Sequence, residues 1–210
     1  MLAGSLIDAA ALLLQDVANI HWSRAELLSY LNAAQAYVVA QAPEAYTLTQ
    51  DVTATTAGQT QFQLSTTAVR LVEIYHNTAG AQSAVQRIER SSLETTYPGW
   101  RTGKPALEAK HYAYDWRHPK MFWVYPPLLV GSGVRLACSM APPTLTTETD
   151  SCVINDLYRM ALIHYMLYSA YLKDAEVAAN ADRAKGLLEM CDGFIKGKRA
   201  AEQSMWKGEV

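Results

Sequence analysis

The chain has 210 residues, a formal net charge of −2, 50% hydrophobic residues and 18% charged residues. That length suits one domain with an insertion and supports a real core, while the missing basic excess argues against a chain drawn onto nucleic acid or anionic lipid. Three cysteines, Cys138, Cys152 and Cys191, form no framework of pairs and suit a reducing compartment.

The first predicted helix covers residues 5–19, with Ser5 as cap, Asp8 three residues on, and Ile7, Ala11, Leu14 and Ala18 on one face. Its apolar stretch is flanked by Asp8 and Asp16 and lacks a basic leader, so it reads as neither signal peptide nor membrane span. A sharper start follows. Ser23 and Glu26 form a capping box, and Trp22 and Leu27 form a hydrophobic staple. Leu27, Leu31, Ala34 and Val38 make the buried stripe, and Pro43 ends the helix.

From residue 46 the period changes to two. Strands are predicted over 48–53, 61–64, 69–75, 86–88, 110–114, 121–125 and 134–140. Ser91 or Ser92 caps a short helix that ends at Tyr97-Pro98. A loop runs from Pro98 to Pro105, and Pro126-Pro127 and Pro142-Pro143 terminate two strands. The last strand alternates Val134, Leu136, Cys138 and Met140 with Arg135, Ala137 and Ser139, the pattern of a half-buried strand.

Residues 150–203 read as helical again. Between Val153 and Leu172 only Asn155, Asp156, Arg159, His164 and Ser169 interrupt the apolar residues, so neighbours must cover this helix on several sides. A single helix to residue 203 would measure about 75 Å, too long for a compact domain. A hairpin is therefore expected, turning at 175–180 with Asn180 as the second cap. The fold class is α+β: a helical bundle from the N- and C-terminal helices with an inserted antiparallel β lobe. The domains are a helical body (1–45 and 150–204), a β-rich insertion (46–149) and a tail (205–210).

No catalytic constellation stands out. There is no nucleophile elbow, phosphate loop or dinucleotide fingerprint. The histidines, His21, His76, His111, His118 and His164, lack metal-ligand spacing. The expectation is no enzyme, no metal and no cofactor. The hairpin aromatics Tyr112, Tyr114, Trp116, Phe122, Trp123 and Tyr125 have few basic neighbours, so sheet core and subunit contact explain them better than base stacking.

Several segments in order carry a resemblance: Tyr97-Pro98-Gly99-Trp100-Arg101, Thr102-Gly103-Lys104-Pro105, Val124-Tyr125-Pro126-Pro127, residues 167–176 (LYSAYLKDAE) and residues 178–184 (AANADRA). Together with residues 27–35 and the strand at 71–77, they resemble the head-to-tail adaptor (connector) proteins of short-tailed bacteriophages. The resemblance implies a structural virion protein at the head-tail junction, made in the cytoplasm of a bacterial host. Such a protein forms a homo-oligomeric ring, dodecameric in the family, between the portal protein and the tail nozzle or tube. It extends the DNA channel, with passive contact to passing DNA and none to membrane. A near-neutral wall lets DNA slide where a basic one would hold phosphates. In that frame Lys198, Arg199, Met205 and Trp206 are expected to dock on the portal, and Trp100, Arg101, Tyr168 and Tyr171 to meet a neighbouring subunit or the tail. The alternatives are another head-completion or tail-terminator protein, or a small enzyme with an unrecognised site.

Overall fold

A computed structural model describes residues 1–173 and 178–207, with side chains for all of these except Ala178 and 202–207. In chain order the helices are α1 (Ala3–Leu13), α2 (Arg24–Gln41), α3 (Arg90–Thr96), α4 (Arg159–Lys173) and α5 (Ala178–Lys207). The strands are β1 (Thr47–Thr53), β2 (Gln59–Gln63), β3 (Ala68–Asn77), β4 (Gln86–Arg87), β5 (His111–Tyr114), β6 (Met121–Leu128) and β7 (Gly133–Met140). The class is α+β. The chain divides into two compact units, one of Met1–Tyr46 with Pro142 onward and one of Thr47–Ala141.

In the helical unit α1 starts two residues before the expected Ser5. Ser5 does not cap it; its hydroxyl turns back to the Leu2 carbonyl at 2.8 Å. The first helical N–H groups are satisfied from far along the chain, Ala3 donating to Asp150 O at 2.9 Å and Gly4 to Glu148 O at 2.8 Å. Nor does α1 reach residue 19. Gln15 and Asn19 take positive φ, and Asp16 folds the loop by accepting from the N–H groups of Ile20, His21 and Trp22 at 2.8–2.9 Å. Those bonds, that from Trp22 foremost, hold the Asp16 carboxyl below its ordinary range.

Helix α2 follows the sequence closely. The Ser23 hydroxyl accepts from Glu26 N–H at 3.3 Å, and Leu27, Leu31, Ala34 and Val38 are wholly buried. Trp22 is buried too and donates from Nε1 to the Ala170 carbonyl at 3.3 Å. A 3-10 turn at Pro43–Ala45 closes the segment.

Helix α4 begins later than residue 150. Asn155 caps a 3-10 turn, Asp156–Tyr158, by accepting from Leu157 N–H at 2.9 Å. Asp156 lies 3.5 Å from the amino terminus, and Arg159 donates to the Ser5 carbonyl at 3.4 Å. Helices α4 and α5 run antiparallel: Arg183 stands over Tyr171, Phe194 stacks on His164, and Lys198 covers Tyr158. Most of the expected turn at 175–180 lies outside the described residues. Asn180 itself falls inside α5, which starts at Ala178, so it is not the cap. Helix α5 also runs to Lys207, beyond the expected end at 203.

The other unit holds two sheets, β1-β7-β3 and β2-β6-β5-β4. Residues of both fill one apolar cluster that includes Phe62, Leu71, Ile74, Phe122, Val124, Leu136 and Cys138. Pairing is antiparallel, as expected, apart from the two-residue strand β4, which runs parallel to β5. Strand β7 is flanked on both sides, so it is buried nearly throughout instead of on one face. Its exposed residue, Arg135, forks onto Asp51 of β1 at 2.7 and 2.8 Å. Strand β6 continues through Pro126-Pro127. Its pairing with β5 has ended at Tyr125, and its ladder with β2 breaks there before Leu128, so no sheet hydrogen bond is lost to the prolines.

Candidate interaction surfaces

Among the described residues no three His, Cys, Asp or Glu side chains are placed to hold a metal ion. The cysteines are free and buried. Burial pushes the Cys191 thiol up to about 12, with Asp192 adding to it, so it offers no thiolate at neutral pH. His164 Nδ1 lies 2.6 Å from the Met160 carbonyl and its ring stacks on Phe194 at 5.3 Å. No helix is long and apolar enough to cross a membrane among the described residues.

The residues expected at interfaces fall in different settings. Trp100 is only 2% exposed. It packs in a small cluster with Leu93, Ala113 and Trp123, so its ring is spent inside the lobe. Arg101 lies over that ring at 4.6 Å and forks onto Glu94, holding this carboxyl below its ordinary range. Tyr168 and Tyr171 are half-buried. Tyr168 meets Tyr165 edge-on, and Tyr171 meets Trp22 edge-on.

Near the end of α5, Lys198 Nζ lies 3.1 Å from the Tyr158 hydroxyl. Arg199 pairs with Glu44 at 2.9 Å and donates to the Gln41 carbonyl at 3.0 Å. Those contacts tie α5 to the 3-10 turn before α4, to the end of α2 and to the 3-10 turn after it. Met205 and Trp206 fall on the last turn of α5 and their side chains lie outside the described residues.

Sequence reasoning missed two apolar surfaces on the helical unit. One spans the end of α1 and the loop after it, where Leu12, Leu13, Val17 and Ile20 are exposed. The other is a shallow trough of about 480 Å³ lined by Leu157, Met190, Gly193, Phe194, Gly197 and Lys198. Phe194 is half exposed and stacks on His164 at the rim. The signal available in the sequence was the trio Gly186, Gly193 and Gly197 inside a long helix, where glycine is otherwise unfavourable.

Exposed apolar surface suits a component of an assembly, and the whole-chain comparison agrees. Residues 1–205 match the SU10 adaptor protein family. The chain belongs to that family. No curated protein matches it. As a family member it is a structural adaptor protein of a phage, a component of the virion.

Proposed function

We propose that the adaptor forms a dodecameric ring at the head-tail junction of a short-tailed phage, joining the portal protein to the tail nozzle or tube and extending the DNA channel. The carrying observation is the family match over residues 1–205, and the exposed apolar residues of the helical unit support it. In this reading the chain has no catalytic role and no cofactor. Its net charge of −2 gives passing DNA little to grip. The helical unit, Met1–Tyr46 with Pro142 onward, builds the ring, and the β-rich unit, Thr47–Ala141, serves the tail side.

The end of α5 docks on the portal through Lys198, Arg199, Met205 and Trp206. Tryptophan is the side chain most enriched at binding hot spots, and a helix end carrying one is a suitable probe. Arg101, Tyr168 and Tyr171 serve the subunit or tail contacts, with Trp100 supporting Arg101 from beneath.

Electron microscopy of the full chain mixed with the portal of its own phage tests the ring. A closed ring stacked on the portal is expected, and a chain that stays monomeric with and without portal refutes it. Deleting residues 204–210 should leave ring formation intact and abolish portal binding. Unchanged portal binding removes the docking assignment.

A further inference from the structure

Strand β1 forms one side of its sheet, with β7 as its neighbour. All seven residues, Thr47–Thr53, pair with β7 in an unbroken register. Ala54 N–H donates to the Ser132 carbonyl at 2.7 Å, which sets the phase of the ladder. Leu48, Gln50 and Val52 then bond to β7, and the N–H and C=O groups of Thr47, Thr49, Asp51 and Thr53 point away from it. These four residues are exposed. Among the described residues no other segment's backbone bonds their outward groups.

The other strand edges of this unit are closed. On β3, Leu71 N–H donates to Pro119 O at 3.0 Å, Asn77 N–H to Ser83 O at 3.0 Å and Val85 N–H to Tyr75 O at 3.4 Å. Strand β2 shifts register between Gln59 and Gln61, and the Gln59 side chain donates to the Gln61 carbonyl at 3.0 Å. Strand β4 has two residues. Covers, bulges and short lengths are how proteins blunt a sheet edge against unwanted pairing. Strand β1 has none of these, and no proline or lysine; its one charge, Asp51, is held by Arg135 at 2.7 Å.

The side chains say what such an edge accepts. Leu48 and Val52 stand opposite Cys138 and Val134 of the apolar cluster, yet Leu48 is 46% exposed. An added strand lays its own alternate side chains beside Leu48 and Val52 and completes that cluster. Its other row meets Thr47, Thr49 and Thr53. The matching segment is extended, apolar at alternate positions, and needs no charge.

A second copy does not suit this edge. Neighbours in a ring meet through unlike surfaces, and among the described residues a copy has no second open edge to offer. Pairing β1 with β1 needs a two-fold axis. It would also hide only about 240 Å² on each copy, from a strand about 24 Å long and a sheet about 10 Å thick, where a stable interface hides about 600 Å² or more per partner. We propose that β1 takes up an extended segment of the tail component by strand addition, a mode in which main-chain bonds give affinity and alternate side chains give specificity. The inference rests on the reading that the β-rich unit serves the tail side, and it names the contact made there.

Hydrogen exchange read by mass spectrometry on the full chain tests it in three states: alone, as a ring on the portal, and with the tail nozzle or tube protein of the phage added. Amides of residues 47–53 that point outward should exchange freely in the first two states and become protected in the third. Thr49→Pro removes one outward donor at an edge, where proline is tolerated, and Thr49→Val keeps the backbone; circular dichroism checks the fold of both. Thr49→Pro should weaken binding of the tail protein about tenfold or more, and Thr49→Val should bind like the wild type. A bound tail protein that leaves these amides open, or a folded Thr49→Pro chain that binds normally, overturns the contact. Protection that grows with the concentration of the chain alone, or appears on the portal before the tail protein is added, gives the edge to a second copy or to the portal and overturns it too. A tail protein that never binds the ring overturns the tail-side reading and this contact with it.

Discussion

Arg24 grips Glu148 with both ends of its guanidinium fork, Nε to Oε1 at 2.7 Å and Nη2 to Oε2 at 2.6 Å, across 124 residues of sequence. The same Nη2 lies 2.9 Å from Asp8. One arginine thereby joins α1, the start of α2 and the returning segment whose carbonyls cap α1. Arg24→Ala and Glu148→Ala should each lower the thermal midpoint, and the double variant should be little worse than Arg24→Ala alone. Additive losses in that double-mutant cycle would show that the two side chains act independently.

Asp150 organises the same segment. Its carboxylate accepts from the N–H groups of Thr146 and Thr147 at 2.7 and 2.9 Å and from both hydroxyls. The backbone bond from Thr147 leads in pushing its pKa down to about 2 from the ordinary 3.8. A depressed folded value means that the contribution is complete above the unfolded value and is lost as pH falls through about 2. Urea midpoints measured toward low pH should fall in that window, and Asp150→Asn should flatten the acid limb. Parallel acid limbs would count against the assignment.

Trp100 is a core residue of its own unit. Trp100→Ala should destabilise the full chain by about 3–5 kcal/mol, read from urea unfolding, whereas Arg101→Ala should change stability little. A Trp100→Ala protein of normal stability that failed only in assembly would reverse that reading.

Two glycines should respond in opposite directions. A Cβ on Gly133 would sit 2.3 Å from the Val52 carbonyl oxygen, against backbone that cannot swing away. Gly133→Ala should therefore push β1 off β7 and cost about 1–3 kcal/mol. Gly193→Ala adds a methyl to open space in a helix interior, so the free subunit should gain about 0.5–1 kcal/mol. Equal signs for the two stability changes would contradict the packing described.

Local chemistry determined what the sequence by itself could declare. The Ser23 cap, the stripe of Leu27, Leu31, Ala34 and Val38, the stop at Pro43 and the two-residue period of the strands rest on neighbours within a few positions, so they were legible before any fold was known. So was the surplus of apolar side chains, which pointed to assembly. The tertiary structure decided what depends on distant partners. Carbonyls of Glu148 and Asp150 cap α1 in place of Ser5. Strands on both sides bury β7, and the cluster around Leu93 takes Trp100 into the lobe. The packing of α5 against α4 leaves Gly193 and Gly197 facing open space. Burial is a relation between residues brought together by the whole fold. Pattern alone names the apolar residues; the fold decides which of them remain for a partner.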